Sequence, residues 1–328
     1  MPNIIVTQPR RVAAIALAER VAIEQNSPPP GQLNSTVGFN VRLGRKVTAT
    51  TSITFMTVGV LLRMLTNPEG SLSTVTHIVI DEVHERDLNT DFVLALLKRL
   101  LQTDRKIRIV IMSATVNAAM FEDYFSSALY STSAINIPGR SFPVSVLWLE
   151  DCENLAKQSC QATFPSSGAG TTSAPAAAAA ATAAQLSPIV EKRIDENFIC
   201  ALVSKLCKAA DGAILIFMPG KVEIDSLVRQ LKGTKSIDHS NTIILPLYSS
   251  LPQNQQTKVF VTPPSKITKI IVSTNVAETS LTIPDVKHVI DTGIVKETRY
   301  KPSSSMSELA TVWASQASQN QRSGRAGR

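Results

Sequence analysis

The segment His77-Ile78-Val79-Ile80-Asp81-Glu82-Val83-His84 ends a short apolar run in two adjacent carboxylates, with a histidine two places on. A carboxylate at the end of a buried strand can hold Mg²⁺ through water, and a neighbouring carboxylate can orient and deprotonate an attacking water. Asp81 and Glu82 are the candidates for these tasks, and His84 could couple them to other segments. A solvated acidic turn after a buried strand would use the same residues. Glu85-Arg86-Asp87 read as the salt-bridged start of a helix.

Five further segments bear on the same chemistry. Ser113-Ala114-Thr115 offers short hydroxyls that could bond the acids, or simply a turn in which Thr115 caps a helix. Thr7-Gln8-Pro9-Arg10-Arg11 sets two arginines near a helix start, where side chains and backbone N–H groups suit phosphate. Ser273-Thr274-Asn275 opens a stretch rich in hydroxyls, able to grip a sugar–phosphate backbone without reading bases; an ordinary Ser/Thr-rich loop is the alternative. In Gln321-Arg322-Ser323-Gly324-Arg325-Ala326-Gly327-Arg328 arginine recurs every third residue. At helical spacing two guanidinium groups could converge on one phosphate and stabilise charge during phosphoryl transfer. A basic tail binding polyanions loosely would look similar. Thr57-Val58-Gly59-Val60-Leu61-Leu62-Arg63 adds a glycine that permits close backbone approach and a terminal arginine.

Short β-branched runs alternating with helical stretches must position these residues. Strands are expected at Ile4–Val6, His77–Asp81, Ile107–Met112, Ala213–Phe217, Thr242–Leu247, Lys269–Val272 and Lys287–Asp291. Helices are expected where Ala14, Leu17, Ala18 and Val21 share a face, where Phe92, Val93, Leu96, Leu97 and Leu100 form a stripe, over Ala118–Phe125 and Val222–Leu231, and after Pro252. Continuous apolar strands separated by helices indicate an α/β fold with parallel sheets covered on both faces. The pattern lapses between Asp151 and Ile189, where Ser, Thr, Gly, Pro and Ala dominate and Ala176–Ala181 is unbroken alanine, as in a linker or insertion. Two similar units result, and a cleft between such units is a natural ligand site.

The 328 residues are 44% hydrophobic and 18% charged, which allows two packed domains and argues against wholesale disorder. A net charge of +7 favours polyanionic partners. The cysteines, Cys152, Cys160, Cys200 and Cys207, have no C-x-x-C spacing and do not cluster with the histidines, so neither a zinc site nor a disulfide framework is expected. No basic-then-apolar leader opens the chain, and no apolar run reaches the roughly 20 residues that span a bilayer. An intracellular protein, in nucleus or cytoplasm and without a membrane partner, is expected.

Taken in order, TQPRR, TVGVLLR, DEVH, SAT, SSLPQNQQTKVF, STNVAETSLTIP and QRSGRAGR closely resemble the DEAH-box group of superfamily-2 RNA helicases. The resemblance covers nearly the whole chain apart from the insertion. It implies two RecA-like parallel-sheet domains, over 1–140 and 191–328, with 141–190 as a connecting strand and insertion. ATP and Mg²⁺ would lie between the domains, and single-stranded RNA, or a duplex with a single-stranded tail, across them. By match to the family's motifs, Asp81 and Glu82 would serve Mg²⁺ and the attacking water, with His84, Ser113 and Thr115 alongside at the nucleotide. Ser113 and Thr115 would couple hydrolysis to domain movement. Gln321 would help position the water, and Arg325 and Arg328 would be arginine fingers. Arg10, Arg11, Thr57, Arg63, Thr274 and Asn275 would contact RNA.

The family's phosphate-binding loop, G-x-x-x-x-G-K-[ST], is not among these residues: the single Gly-Lys pair, Gly220-Lys221, is followed by valine. The strand that carries the loop lies inside RecA-like sheets, so the first domain is expected to be incomplete, with ladder groups and apolar faces exposed. The chain is expected to be the middle of a larger enzyme, unlikely to hydrolyse ATP alone. A non-catalytic RNA-binding or regulatory protein derived from a helicase is the alternative.

Overall fold

The computed structural model describes residues 2–67, 72–103, 106–114, 118–126, 131–137, 142–157, 194–209, 212–264, 266–278, 283–301 and 306–327. The chain divides into two compact units, Met1–Pro138 and Gly139–Arg328. The alanine run, Cys160, Thr115 and Arg328 lie outside the described residues.

The first unit contains β1 (Ile4–Gln8), α1 (Arg11–Glu24), β2 (Val37–Val41), β3 (Gly44–Lys46), β4 (Ile53–Thr57), α2 (Val58–Thr66), β5 (His77–Ile80), α3 (Leu88–Thr103), β6 (Arg108–Ile111) and α4 (Ala118–Phe125). The strands form one sheet in the order β3-β2-β4-β1-β5-β6, parallel except for the β2–β3 hairpin. Side chains alternate across it. Ile5, Met56, Ile78 and Ile80 join Leu61, Val93 and Leu97 from α2 and α3 on one face. Val37, Phe39 and Phe55 meet Ala14, Ile15, Ala18 and Ala22 of α1 on the other. Four of the buried α1 residues are alanines, so this helix lies close against the sheet.

β6 is the outer strand, paired only with β5 among the described residues. Ile109 and Ile111 pack towards the α2–α3 core, but Val110 and the following Met112 are 44% and 39% exposed. Among the described residues the far edge of β6 carries no partner strand.

The second unit holds α5 (Leu149–Lys157), α6 (Glu196–Ala209), β7 (Ala213–Phe217), α7 (Lys221–Gly233), β8 (Thr242–Leu247), α8 (Gln253–Gln256), β9 (Thr268–Ser273), β10 (Val286–Asp291), β11 (Ile294–Lys301), β12 (Met306–Trp313) and α9 (Gln316–Ser323). A parallel sheet runs β10-β7-β9-β8. All five residues of β7 are buried, as a central parallel strand requires. Lys269 of β9 is 2% exposed, and its ammonium is satisfied by Asp285 Oδ1 at 2.7 Å and the carbonyls of Val259 and Val261 at 2.7 and 3.0 Å. This buried pair pins the segment after α8 to the sheet, and nothing in the sequence pattern suggested it.

Three expectations need correction. Phe92 is 55% exposed, because α3 turns Val93, Leu94 and Leu97 inward instead. Among the described residues of 141–190 no connecting strand occurs: 142–148 carries none, and Leu149–Lys157 is helical. The antiparallel hairpin β11–β12 and the helices α6 and α9 complete a unit in which the sequence had suggested fewer elements.

Candidate functional site

In the first unit, the residues of interest collect at the carboxyl ends of the parallel strands. The β1–β4 register sets Gln8 beside Thr57, and the β1–β5 register brings Gln8 to Asp81. Asp81 Oδ2 accepts a hydrogen bond from Gln8 Nε2 at 2.6 Å, and Oδ1 accepts one from the Glu82 backbone N–H at 2.8 Å. Glu82 itself lies in the left-handed region, φ 56°, ψ 35°. That conformation is costly for a residue with a Cβ and persists where surrounding contacts hold it. Here it turns the chain sharply into a 3₁₀ turn at Val83–Glu85.

His84 sits between two strand ends. Its Nδ1 accepts from the Ala114 N–H at 3.3 Å, so a neutral ring carries its proton on Nε2, which lies 3.4 Å from Glu82 Oε2. The latter is a close polar contact and not an aligned hydrogen bond. The histidine thus joins the acidic turn after β5 to the Ser113-Ala114 turn after β6. Ser113 is exposed, and Thr115 falls outside the described residues. Arg86 pairs with Asp91 at 2.8 Å, and Asp87 Oδ1 accepts from the N–H groups of Asn89 and Thr90, capping α3. Arg86 and Asp87 thus make the salt-bridged, capped helix start that their sequence suggested.

The nucleic-acid candidates of this unit fall into two places. Arg10 and Arg11 open α1; Arg11 is exposed, while Arg10 is partly buried and lies 3.8 Å from Glu85. Thr57 ends β4 and is partly buried, whereas Arg63 is exposed a turn and a half along α2.

In the second unit, Thr274 and Asn275 follow β9. Thr274 Oγ1 accepts from the Val276 N–H, starting a 3₁₀ turn that leaves Asn275 exposed. Gln321 is partly buried on α9. The helix ends at Ser323, and the chain continues in tight turns, with Arg325 N–H bonded to Arg322 O and Ala326 N–H to Ser323 O. The three arginines are therefore not equivalent. Arg322, 1% exposed, donates to Glu278 Oε2 at 2.8 Å and Asp291 Oδ1 at 2.7 Å, and its guanidinium lies 4.9 Å from the Phe217 ring centroid. It fastens α9 to the ends of β7 and β10 and to the loop after β9. Arg325, in the turn that Arg322 anchors, is 8% exposed, and Arg328 lies outside the described residues.

Two family models match the chain: "DEAD/DEAH box helicase" over residues 2–123 and "Helicase conserved C-terminal domain" over residues 196–328. The chain belongs to the DEAD/DEAH-box helicase family. It is 39% identical over 329 residues to the rat ATP-dependent RNA helicase DHX30 and 34% identical over 352 residues to the Arabidopsis thaliana DExH-box ATP-dependent RNA helicase DExH1. These alignments cover 99% of this chain, but 25% and 34% of the relatives. The crystal structure of the Escherichia coli DEAH/RHA helicase HrpB aligns with a TM-score of 0.74 at 30% identity, over the whole of this chain and 36% of that one. The chain thus spans about a quarter to a third of the length of these helicases. Its two units are the RecA-like α/β domains of the family.

Within this helicase framework, four residues escaped the sequence reading: Gln8, Glu278, Asp291 and Arg322. Gln8, Glu278 and Arg322 stood inside segments already singled out, so a question about what holds each motif in place would have found them. Asp291 carried no signal beyond its place at the end of an apolar run. Among the described residues no group of three His, Cys, Asp or Glu side chains could hold a metal, and no helix is long and apolar enough to cross a membrane.

Proposed function

We propose that this chain carries the catalytic and RNA-gripping core of an ATP-dependent RNA helicase of the DEAH-box type. The observation that supports this best is Asp81 held by two hydrogen bonds at a parallel strand end, beside Glu82 in a strained left-handed turn. Such preorganisation is characteristic of groups that must act on a small, fixed target.

Mg²⁺ bound with nucleotide usually keeps several waters and takes only one or two carboxylates plus the phosphates. Asp81 and Glu82 fit that role: Asp81 keeps lone pairs beyond its two hydrogen bonds, and no larger protein cage is needed. When bound, the ion neutralises charge on the β- and γ-phosphates. Glu82 orients and deprotonates the attacking water, with His84 Nε2 3.4 Å from its carboxylate. Gln321 orients the same water from α9. Arg325 and Arg328 stabilise the charge that develops on the transferred phosphoryl group, and Arg322 holds the turn that carries Arg325. Ser113, beside the Ala114 that His84 touches, and Thr115 pass the nucleotide's state onward.

Arg10, Arg11, Thr57, Arg63, Thr274 and Asn275 bind the RNA backbone, as single-stranded RNA or a duplex with a single-stranded tail, with little sequence preference. The working compartment is intracellular, nucleus or cytoplasm. The matched ranges, together with the division of the chain at Pro138, support domains over 1–140 and 191–328 joined by 141–190.

Turnover in two polypeptides tests this reading. The 328 residues alone, without a G-x-x-x-x-G-K-[ST] loop to cradle phosphates, hydrolyse ATP negligibly with or without RNA. The same residues preceded in frame by a strand and such a loop show RNA-stimulated hydrolysis that Glu82→Gln abolishes. RNA-stimulated, Glu82-dependent turnover by the first polypeptide would overturn the requirement for the loop. No turnover by the second, with RNA binding intact, would instead favour a non-catalytic RNA-binding protein.

A further inference from the structure

Gln8 stands in the middle of a row of strand ends. On one side the ladder sets it beside Thr57, and on the other its side chain reaches Asp81. It is fully buried, yet only half of its amide is matched: Nε2 donates to Asp81 at 2.6 Å, while Oε1 is buried without a hydrogen-bond partner among the described residues. A buried amide left half-matched costs stability, and methionine or leucine would fill the same space without that cost. Packing alone therefore does not account for glutamine at this position. Its donor on Asp81 does.

The contact continues in both directions. Towards the acidic turn, Gln8 fixes Asp81, whose other oxygen accepts the Glu82 N–H and so helps hold Glu82 at φ 56°. Loss of the Gln8 donor frees Asp81 to rotate and lets this strained turn relax. Towards the arginines, Gln8 is followed by Pro9, whose ring fixes its own φ and restricts Gln8. A shift of Arg10 is therefore passed back to Gln8 with little slack. Arg10 also lies 3.8 Å from Glu85, the last residue of the turn that Glu82 opens. Two struts, Gln8–Asp81 and Arg10–Glu85, join the arginine loop to the carboxylate turn.

We propose that Gln8 is a positioning residue that relays RNA engagement at Arg10 and Arg11 to the geometry of Asp81 and Glu82. The relay rests on the RNA-binding reading given above. It acts within the first unit and requires neither nucleotide nor movement of the second unit. A ligand that pulls on the arginines thereby sets how firmly the water-activating carboxylate is held.

Hydrogen exchange of the 328-residue chain, with and without a saturating oligouridine, tests the relay. In the wild type, oligouridine slows exchange at residues 81–85 by about 2- to 30-fold, the range expected of side chains coupling two sites. Gln8→Met binds oligouridine about as well, but the RNA-dependent slowing disappears. A merely structural Gln8 would instead raise exchange at 81–85 equally with and without RNA. If thermal melting shows that Gln8→Met is not folded, Gln8→Asn decides: its amide is one methylene too short to reach Asp81, so the slowing must vanish there too. Slowing that persists in these variants overturns the role of Gln8. Oligouridine binding with no slowing in the wild type overturns the relay while leaving the RNA-binding reading intact. Absence of oligouridine binding overturns both.

Discussion

Glu82 and Asp81 occupy a turn that exists because of its side-chain contacts: a left-handed backbone at Glu82, and an Asp81 carboxylate spanned by Gln8 and the Glu82 N–H. Five residues after Glu82, Asp87 does a plainer task, capping α3 through the Asn89 and Thr90 N–H groups. Asp87→Ala is expected to cost about 1 kcal/mol of stability, read from the urea midpoint, the usual worth of an N-cap. Cys207 offers a pH prediction. Burial pushes its thiol up from 9.0 to about 11. The folded protein then holds this proton more tightly than the unfolded chain, so its contribution to stability is intact below pH 9.0 and lost as pH rises towards about 11. Urea midpoints measured across that interval should fall less steeply in Cys207→Ala than in the wild type.

Among the elements, α9 shows most clearly how a helix with no apolar stripe is held. Its sequence, QASQNQRS, offers nothing to a hydrophobic core, and Arg322 fixes it through Glu278, Asp291 and the Phe217 ring. Arg322→Ala leaves two carboxylates facing a buried gap and is expected to cost about 3–5 kcal/mol in chemical denaturation. Arg322→Lys cannot span both acids and should recover only part of that loss. A second element prediction concerns β6, whose open edge and exposed Val110 invite pairing between chains. Val110→Lys should raise the protein concentration at which light scattering grows, with oligouridine affinity unchanged.

These elements also explain what the sequence disclosed. β7 was legible because a central parallel strand must be apolar on both faces, and Ala213–Phe217 is. β2 was not, because Gly38 and Asn40 interrupt its apolar residues, and β3 is Gly-Arg-Lys. α9 was missed because its anchor is an ion pair, which leaves no periodicity to read. Phe92 was assigned to the buried stripe of α3, but neighbours with the same spacing took the core positions.

At the scale of the whole molecule, two α/β units each bring candidate residues to the carboxyl ends of parallel strands: Gln8, Thr57 and Asp81 in one, Thr274, Glu278 and Asp291 in the other. The acids, the arginine turn and the hydroxyl loop were legible from residue type and order along the chain. The contacts that hold them, Gln8 on Asp81 and Arg322 on Glu278 and Asp291, join residues 73, 44 and 31 positions apart and depend on strand register, which the linear pattern does not show. With a net charge of +7 and arginines at the start of α1, the molecule carries positive charge of the sign that attracts a phosphate backbone.

The central claim, that these strand ends grip an RNA backbone, is tested most directly by equilibrium binding of a fluorescent oligouridine to the 328-residue chain between about 50 and 200 mM salt. The logarithm of the affinity should fall linearly with the logarithm of salt, by about 0.7 per phosphate neutralised, and alike for oligouridine and a mixed-sequence oligonucleotide. The Arg10→Gln, Arg11→Gln double variant should bind more weakly, with a slope shallower by about 1.4. Binding indifferent to salt, or unchanged by removing both arginines, would contradict the account.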